Sequence, residues 1–358
     1  MVKKGRTHLR LRASLLVGPR MRLAAPLCFT QQMINVRNLK KNFGPKIAVN
    51  GVSFSVNKGE VLGFLGPNGA GKSTTMRMIT GFIPPSDGEV SVGGFNVQEN
   101  PIAAKRLIGY LPENAPSYTD MTVYGFLGFC ADLRGLGGDA KRKAIHRVVE
   151  MCFLEPVMHQ DIDTLSKGYK HRTCFAQSIL HDPEVLIMDE PTDGLDPNQK
   201  HEVRTLIRTM GEKKAIIFST HILEEVEAVC SRAIIIDRGE IVANGTPDEL
   251  KRRSRNAGAV TLRIAHNANV TADAVMAKLS VLSAVEKCII ESDSPISVRA
   301  LPRKNAGADG ALARSIYETA ARESWKIEEL HTEEGHLDDV FRSITLGDKA
   351  AETKEATP

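Results

Sequence analysis

The residues best suited to chemistry begin at Gly66, where Gly66-Pro67-Asn68-Gly69-Ala70-Gly71-Lys72-Ser73-Thr74 follows the apolar run Val61–Leu65 and opens a helical stretch from Met76 to Gly81. Glycines at these positions let successive backbone N–H groups turn inward and form an anion nest at a helix N-terminus. The spacing predicts a phosphate cradle in which Lys72 contacts the β- and γ-phosphates of a triphosphate and Ser73 ligates Mg²⁺. A glycine-rich strand-to-helix turn with no ligand is the plainer alternative, and the strand and helix on either side favour the phosphate site. The second half of the chemistry lies at Val185-Leu186-Ile187-Met188-Asp189-Glu190. An acidic pair ending a buried strand puts one carboxylate on the metal and another near the terminal phosphate. Asp189 is the expected Mg²⁺ holder and Glu190 the expected general base for water, a role that contributes about 10² to 10⁴ in rate. An apolar run meeting Asp-Glu is common where a strand enters a loop; its weight here comes from following the phosphate loop.

Such residues need parallel strands behind them. From Met33 to about Ala257, short β-rich runs alternate with helical patterns, which predicts an α/β architecture with a partly parallel sheet. Val61–Leu65, Val185–Met188, Ala215–Phe218 and Ala233–Ile236 are compact apolar runs of the kind that fill central strands. Between Pro101 and His181 longer helical stretches predict a helical insertion, including Lys141 to Glu150 and Thr173 to Leu180. After Lys251-Arg252-Arg253-Ser254 the pattern changes again. Strands are expected at 259–265, 284–292, 295–301 and 325–330, and helices at 271–280, 311–323 and 337–344. The order β-α-β-β-α-β suits a small ferredoxin-like α+β module. The expected parts are an extension (1–32), the α/β domain (33–257, insertion about 101–181), an accessory module (258–348) and a polar tail (349–358).

The composition, 42% hydrophobic and 25% charged over 358 residues, argues for one large or two modest folded domains rather than disorder. Seven basic and no acidic residues fall in the first 32, which leaves 40 basic against 43 acidic residues elsewhere, so the folded body is not a basic nucleic-acid surface. The basic segment is expected to be a disordered tail or an over-extended gene start, with Met33 opening the folded chain. Its alternative is a weak, salt-dependent phosphate or anionic-lipid binder. No charge-free window reaches eighteen residues, so no transmembrane helix is expected. The six cysteines lack metal-ligand spacing and are read as reduced and mostly buried.

Pro191-Thr192-Asp193-Gly194-Leu195-Asp196-Pro197, directly after the acidic pair, and Leu165-Ser166-Lys167-Gly168-Tyr169 before it make the chain resemble the ABC ATPases among P-loop NTPases. The resemblance covers about residues 33 to 257 and implies the ABC ATPase fold, ATP and Mg²⁺ as ligands, and a homodimer. In that family the signature of one subunit closes over nucleotide held by the other. Carried over, Ser166 and the Gly168 backbone would touch the partner's γ-phosphate, and Asp196 would lie at the interface. His221, ending Phe218-Ser219-Thr220-His221, resembles the switch histidine at the γ-phosphate. Phe43 in the run from Lys41 to Val49 matches the aromatic position stacked on adenine. Asp237 to Pro247 resembles the hairpin that closes the domain.

Two departures stand out. The signature reads Leu-Ser-Lys-Gly-Tyr rather than Leu-Ser-Gly-Gly-Gln, keeping the serine and second glycine but introducing Lys167 and Tyr169. In Ile108 to Asn114 the family's glutamine position holds Glu113, whose carboxylate can ligate Mg²⁺ but adds negative charge beside ATP. With Leu337 to Thr345, these features are similar to ABC exporter ATPases of gliding motility, antibiotic export and sodium export. The resemblance therefore implies an ATP-hydrolysing motor, peripheral on the cytoplasmic face of the membrane, that drives a separately encoded integral permease. A clamp on ribosomes or DNA is the alternative; such relatives usually carry two cassettes or long coiled-coil insertions, and this chain has one cassette and no heptad region.

Overall fold

A computed structural model of the chain describes residues 31–347 apart from 115, 255, 266–269 and 304–309. The expected basic extension, but for its last two residues, and the expected C-terminal tail fall outside them. Apolar and polar residues alternate along β1 (Gln32–Phe43) and β2 (Lys46–Asn57), and this half-buried pair runs antiparallel about Gly44, whose φ of 58° suits a tight turn. Every residue of β3 (Val61–Leu65) is buried, and the glycine-rich loop from Gly66 to Gly71 then leads into α1 (Lys72–Ile79). β4 (Asp87–Val92) and β5 (Phe95–Asn96) complete an antiparallel sheet in the order β2-β1-β4-β5.

The next segment carries α2 (Pro101–Leu107), β6 (Ile108–Leu111), α3 (Val123–Leu133), α4 (Gly138–Met151) and α5 (Lys167–Ile179). The predicted helical stretch therefore also contains a strand of the central sheet. That strand is only four residues long and includes Gly109, which has no room for a Cβ against the Ser178 carbonyl, so it carries little strand signal in isolation. The chain continues through β7 (Val185–Asp189), α6 (Pro197–Gly211), β8 (Ala215–Thr220), α7 (Leu223–Val229), β9 (Arg232–Asp237), β10 (Glu240–Gly245) and α8 (Pro247–Lys251). The central sheet has the order β10-β9-β3-β8-β7-β6 and is parallel except for β10.

Alternate residues of β7 feed two cores. Leu186 and Met188 pack with Leu127, Phe175 and Ile207 of the helices, whereas Val185 and Ile187 pack with Ile34, Val36 and Met76 under the antiparallel sheet. Burial on both faces explains why these central strands read as unbroken apolar runs.

The last segment carries β11 (Val260–Ile264), α9 (Ala272–Ser280), β12 (Val285–Asp293), β13 (Ile296–Pro302), α10 (Ala311–Arg322), β14 (Ile327–Thr332) and α11 (Leu337–Gly347). Its sheet is antiparallel in the order β12-β13-β11-β14, so the predicted β-α-β-β-α-β module has the ferredoxin-like strand arrangement and its own apolar cluster. α11 leaves this module and packs on the α/β body. Leu337 and Val340 join Leu65, Val226, Ile235 and Leu250, while Asp339 accepts hydrogen bonds from Ser254 Oγ at 3.0 Å and Asn256 Nδ2 at 3.1 Å.

Candidate active site

The parallel strands β3, β7 and β8 end side by side, which brings the phosphate loop, the acidic pair and His221 to one edge of the sheet. Gly66 leaves β3 so close to β9 that an added Cβ would lie 2.3 Å from the Ile236 carbonyl oxygen. Gly71, at φ 106°, turns the chain into α1 against the Ala48 carbonyl. Lys72 and Ser73 thus occupy the first turn of α1. The lysine ammonium donates to the Gly66 carbonyl at 2.7 Å and lies 3.9 Å from Glu190 Oε1. Burial pulls its pKa down, and the carboxylates of Glu190, Asp189 and Glu113 oppose that shift.

Asp189 is buried at the end of β7. Its Oδ1 accepts from Ser73 Oγ at 3.1 Å and from Ser219 Oγ at 2.5 Å, whereas Oδ2 is buried without a hydrogen-bond partner. An orphaned carboxylate oxygen beside a serine hydroxyl is a donor set suited to a hard divalent cation. Among the described residues no cluster of three or more His, Cys, Asp or Glu could hold a metal alone, so phosphate and water would have to supply the remaining ligands, as Mg²⁺ prefers.

Glu190 has φ 52°, a left-handed conformation that is rare for a residue with a side chain. Its N–H donates to Ser219 Oγ at 3.0 Å, and its carbonyl accepts from Asp193 N at 3.1 Å. Strain of this kind persists where neighbours over-determine the backbone, and it is concentrated at functional sites. The Glu190 Oε2 oxygen lies 3.0 Å from His221 Nδ1. Burial raises the carboxyl pKa; His221 and Lys72 hold that rise in check.

A cavity of about 640 Å³ opens in front of these groups, lined by Phe43, Pro67, Asn68, Gly69, Gly71, Lys72, Ser73, Thr74, Glu113 and Glu190. Phe43, one of the lining residues, is 51% exposed, with the Lys41 ammonium 5.2 Å from its ring centre. Gly66, Ala70, Asp189 and His221 are not among the residues that line the cavity. Ser166 and Gly168 stand apart from it on α5. Ser166 caps that helix by accepting from Tyr169 N at 3.4 Å, and Gly168 is where α6 approaches closely, since an added Cβ would lie 2.6 Å from Gln199 Oε1. Asp196 caps α6, and Lys167 bridges to Asp193 at 3.0 Å.

Three residues at the site were not anticipated as ligand or positioning groups. Lys46 and Ala48 line the cavity because β2 pairs back on β1, setting Lys46 opposite Phe43. Ser219 fixes both Asp189 and Glu190 because the parallel register places it beside Asp189. The short loop after Phe43 was a usable hairpin signal; the β7–β8 register left none in the sequence.

A family model described as "ABC transporter" matches residues 49–193. The linearmycin resistance ATP-binding protein LnrL of Bacillus subtilis is 40% identical over 223 residues, 62% of this chain and 71% of that protein. The Nod factor export ATP-binding protein I of Burkholderia orbicola is 37% identical over 218 residues, 61% of this chain and 72% of that protein. A solved ATP binding subunit of an ABC transporter superposes with a TM-score of 0.58 at 29% identity, covering 62% of this chain and 92% of that one. The ABC transporter cassette MJ0796 shares the fold at a TM-score of 0.57 and 22% identity, over 60% of this chain and 99% of that one.

Proposed function

Because the chain belongs to the ABC transporter ATP-binding family, and is by that membership an ATPase, we propose that it powers a separately encoded membrane permease as the motor of an exporter. In this reading residues 33–257 are the cassette and 258–348 an accessory module, a division supported by the separate sheet and apolar cluster of the latter. Two copies hold two ATP molecules between them and reopen after hydrolysis. The names of the relatives, one for linearmycin resistance and one for Nod factor export, support export over a clamp on ribosomes or DNA. Among the described residues no helix is long and apolar enough to cross a membrane; in this reading the motor sits on the cytoplasmic face and the permease supplies the membrane span.

The loop from Gly66 to Gly71, with Lys72, Ser73 and Thr74, receives the triphosphate, and Phe43 stacks on the adenine. Asp189 Oδ2, Ser73 Oγ and Glu113 would hold Mg²⁺, which would neutralise charge on the triphosphate. Glu190 takes the proton of the attacking water. Its raised pKa makes it a better proton acceptor than an ordinary glutamate, and His221 keeps the carboxylate oriented. Ser166 and the Gly168 backbone, away from their own cavity, face the γ-phosphate held by the second copy.

The observation that carries this reading is the meeting of two chain segments more than a hundred residues apart: Ser73 on Asp189 at 3.1 Å and Lys72 by Glu190 at 3.9 Å. The variant Glu190→Gln tests it. ATP binding should persist, turnover should fall by about 10² or more, and a nucleotide-bound dimer should accumulate on sizing columns. Undiminished hydrolysis removes Glu190 as the base. Co-purification with an integral membrane protein from native membranes tests the transport assignment; recovery with ribosomes or DNA contradicts it.

A further inference from the structure

Beneath the site lies a buried carboxylate for which the chemistry above has no use. Glu225 sits on α7, is 1% exposed and does not line the cavity. Its Oε1 accepts from the Thr192 hydroxyl and lies 3.3 Å from Arg204 Nη2, and its Oε2 accepts from Thr220 Oγ1 at 2.7 Å. A charge so buried is retained at low cost only when its lone pairs are filled by donors and a cation, as they are here.

Each donor comes from a different arm of the site. Thr192 lies two residues beyond Glu190, in the turn closed by the Asp193 N–H donating to the Glu190 carbonyl. Thr220 immediately precedes His221, and its hydroxyl also accepts from Ile222 N at 3.0 Å, so both chain neighbours of the histidine are held through one hydroxyl. Arg204 belongs to α6, the helix capped by Asp196. The pair Glu190 and His221 needs such support, because Glu190 holds a strained backbone and His221 is 55% exposed on its side chain. Ser219 braces the N-terminal side of Glu190. Glu225 braces its C-terminal side and the histidine together.

We propose that Glu225 is a positioning residue for hydrolysis, a buried anion that locks the base and the switch histidine into one geometry without touching nucleotide. The proposal rests on Glu190 being the base. Neutralising Glu225 loosens the Glu190–His221 pair and slows the chemical step, while the phosphate loop, carried by other elements, keeps its grip on ATP.

The test compares Glu225→Gln, Thr192→Val, Thr192→Ser and the double variant Glu225→Gln/Thr192→Val in the full-length protein, measuring kcat, KM and ATP affinity by titration. Glu225→Gln and Thr192→Val should each lower kcat by about 10- to 100-fold, the scale of losing a charge-assisted hydrogen bond, with ATP affinity within about twofold of the parent by the same argument. Thr192→Ser, which keeps the hydroxyl, should restore most of kcat, and the double variant should be little slower than the worse single one because both cut the same tie. Unchanged kcat, a parallel loss of ATP affinity, multiplicative effects in the double variant or failure of serine to rescue each overturns the proposal. If Glu225→Gln does not fold, the Thr192 pair decides alone. Glu190→Gln measured alongside separates the two readings: full turnover there removes the base and this inference with it, whereas loss of turnover there with normal Glu225→Gln and Thr192→Val kinetics sinks only the inference.

Discussion

Replacing Lys72 with methionine should weaken ATP binding by about 10- to 150-fold, and the structure sets that scale. The ammonium is buried in the first turn of α1, held by the Gly66 carbonyl at 2.7 Å and set within 3.9 Å of Glu190. Methionine keeps much of the apolar stem, so the change isolates the charge. A hydrogen bond to a charged group contributes about 1.5 to 3 kcal/mol, and each 1.4 kcal/mol is about tenfold in affinity. The loss is partly reversible. Without the lysine, three carboxylates that now oppose its lowered pKa would face the triphosphate with less compensation, so Lys72→Met/Glu190→Gln should bind ATP more tightly than Lys72→Met alone. Isothermal titration gives the affinities, and thermal denaturation gives an independent reading. At an ATP concentration of 100 times the parent Kd, nucleotide stabilises the parent by about 2.7 kcal/mol but a variant weakened 100-fold by only about 0.4 kcal/mol. A folded Lys72→Met protein whose Kd stays within about threefold of the parent would falsify the placement of this lysine on the phosphates.

Three further outcomes are expected. The acid limb of kcat/KM, which reports the nucleotide-free protein, should lie above the ordinary glutamate pKa of 4.5, because burial raises Glu190 and the base is lost as pH falls through that raised value; a limb at or below 4.5 in a pH–rate profile contradicts it. His171, 4% exposed on α5 with both ring nitrogens unpartnered, has its pKa pushed by burial from 6.5 down to about 4. The folded state therefore binds this proton less readily than the unfolded one. Its contribution to stability is complete above pH 6.5 and is lost as pH falls toward 4, by about 2 kcal/mol between pH 7.5 and 5. Urea midpoints should show that loss in the parent and a shallower one in His171→Leu; parallel slopes refute it. Finally, Leu337→Ala should cost about 2 to 5 kcal/mol in urea unfolding, since Leu337 packs with Leu65, Val226 and Ile235 across the seam between α11 and the α/β body; a near-neutral change means α11 does not dock there.

Elements whose physics is local were legible in the residues alone. Unbroken apolar runs at Val61–Leu65 and Ala215–Phe218 read as strands covered on both faces, and glycines spaced before Lys72 read as a strand-to-helix turn suited to an anion. The β-α-β-β-α-β order of the C-terminal module was legible for the same reason, because alternation and helical periodicity are properties of neighbouring residues. The four-residue β6 was hidden, since a strand that short is made by pairing with β7 rather than by its own composition.

The partnerships between side chains arise only once the elements pack together. Parallel register set Ser219 beside Asp189, folding left Asp189 Oδ2 without a partner, and α7 carried Glu225 beneath both Thr192 and Thr220. None of these follows from spacing, because contacts between residues tens of positions apart depend on how whole strands and helices pack. The seam between α11 and the α/β body is of the same kind. The helix at 337–344 was expected from the sequence, but the surface it covers is a property of the assembled sheet.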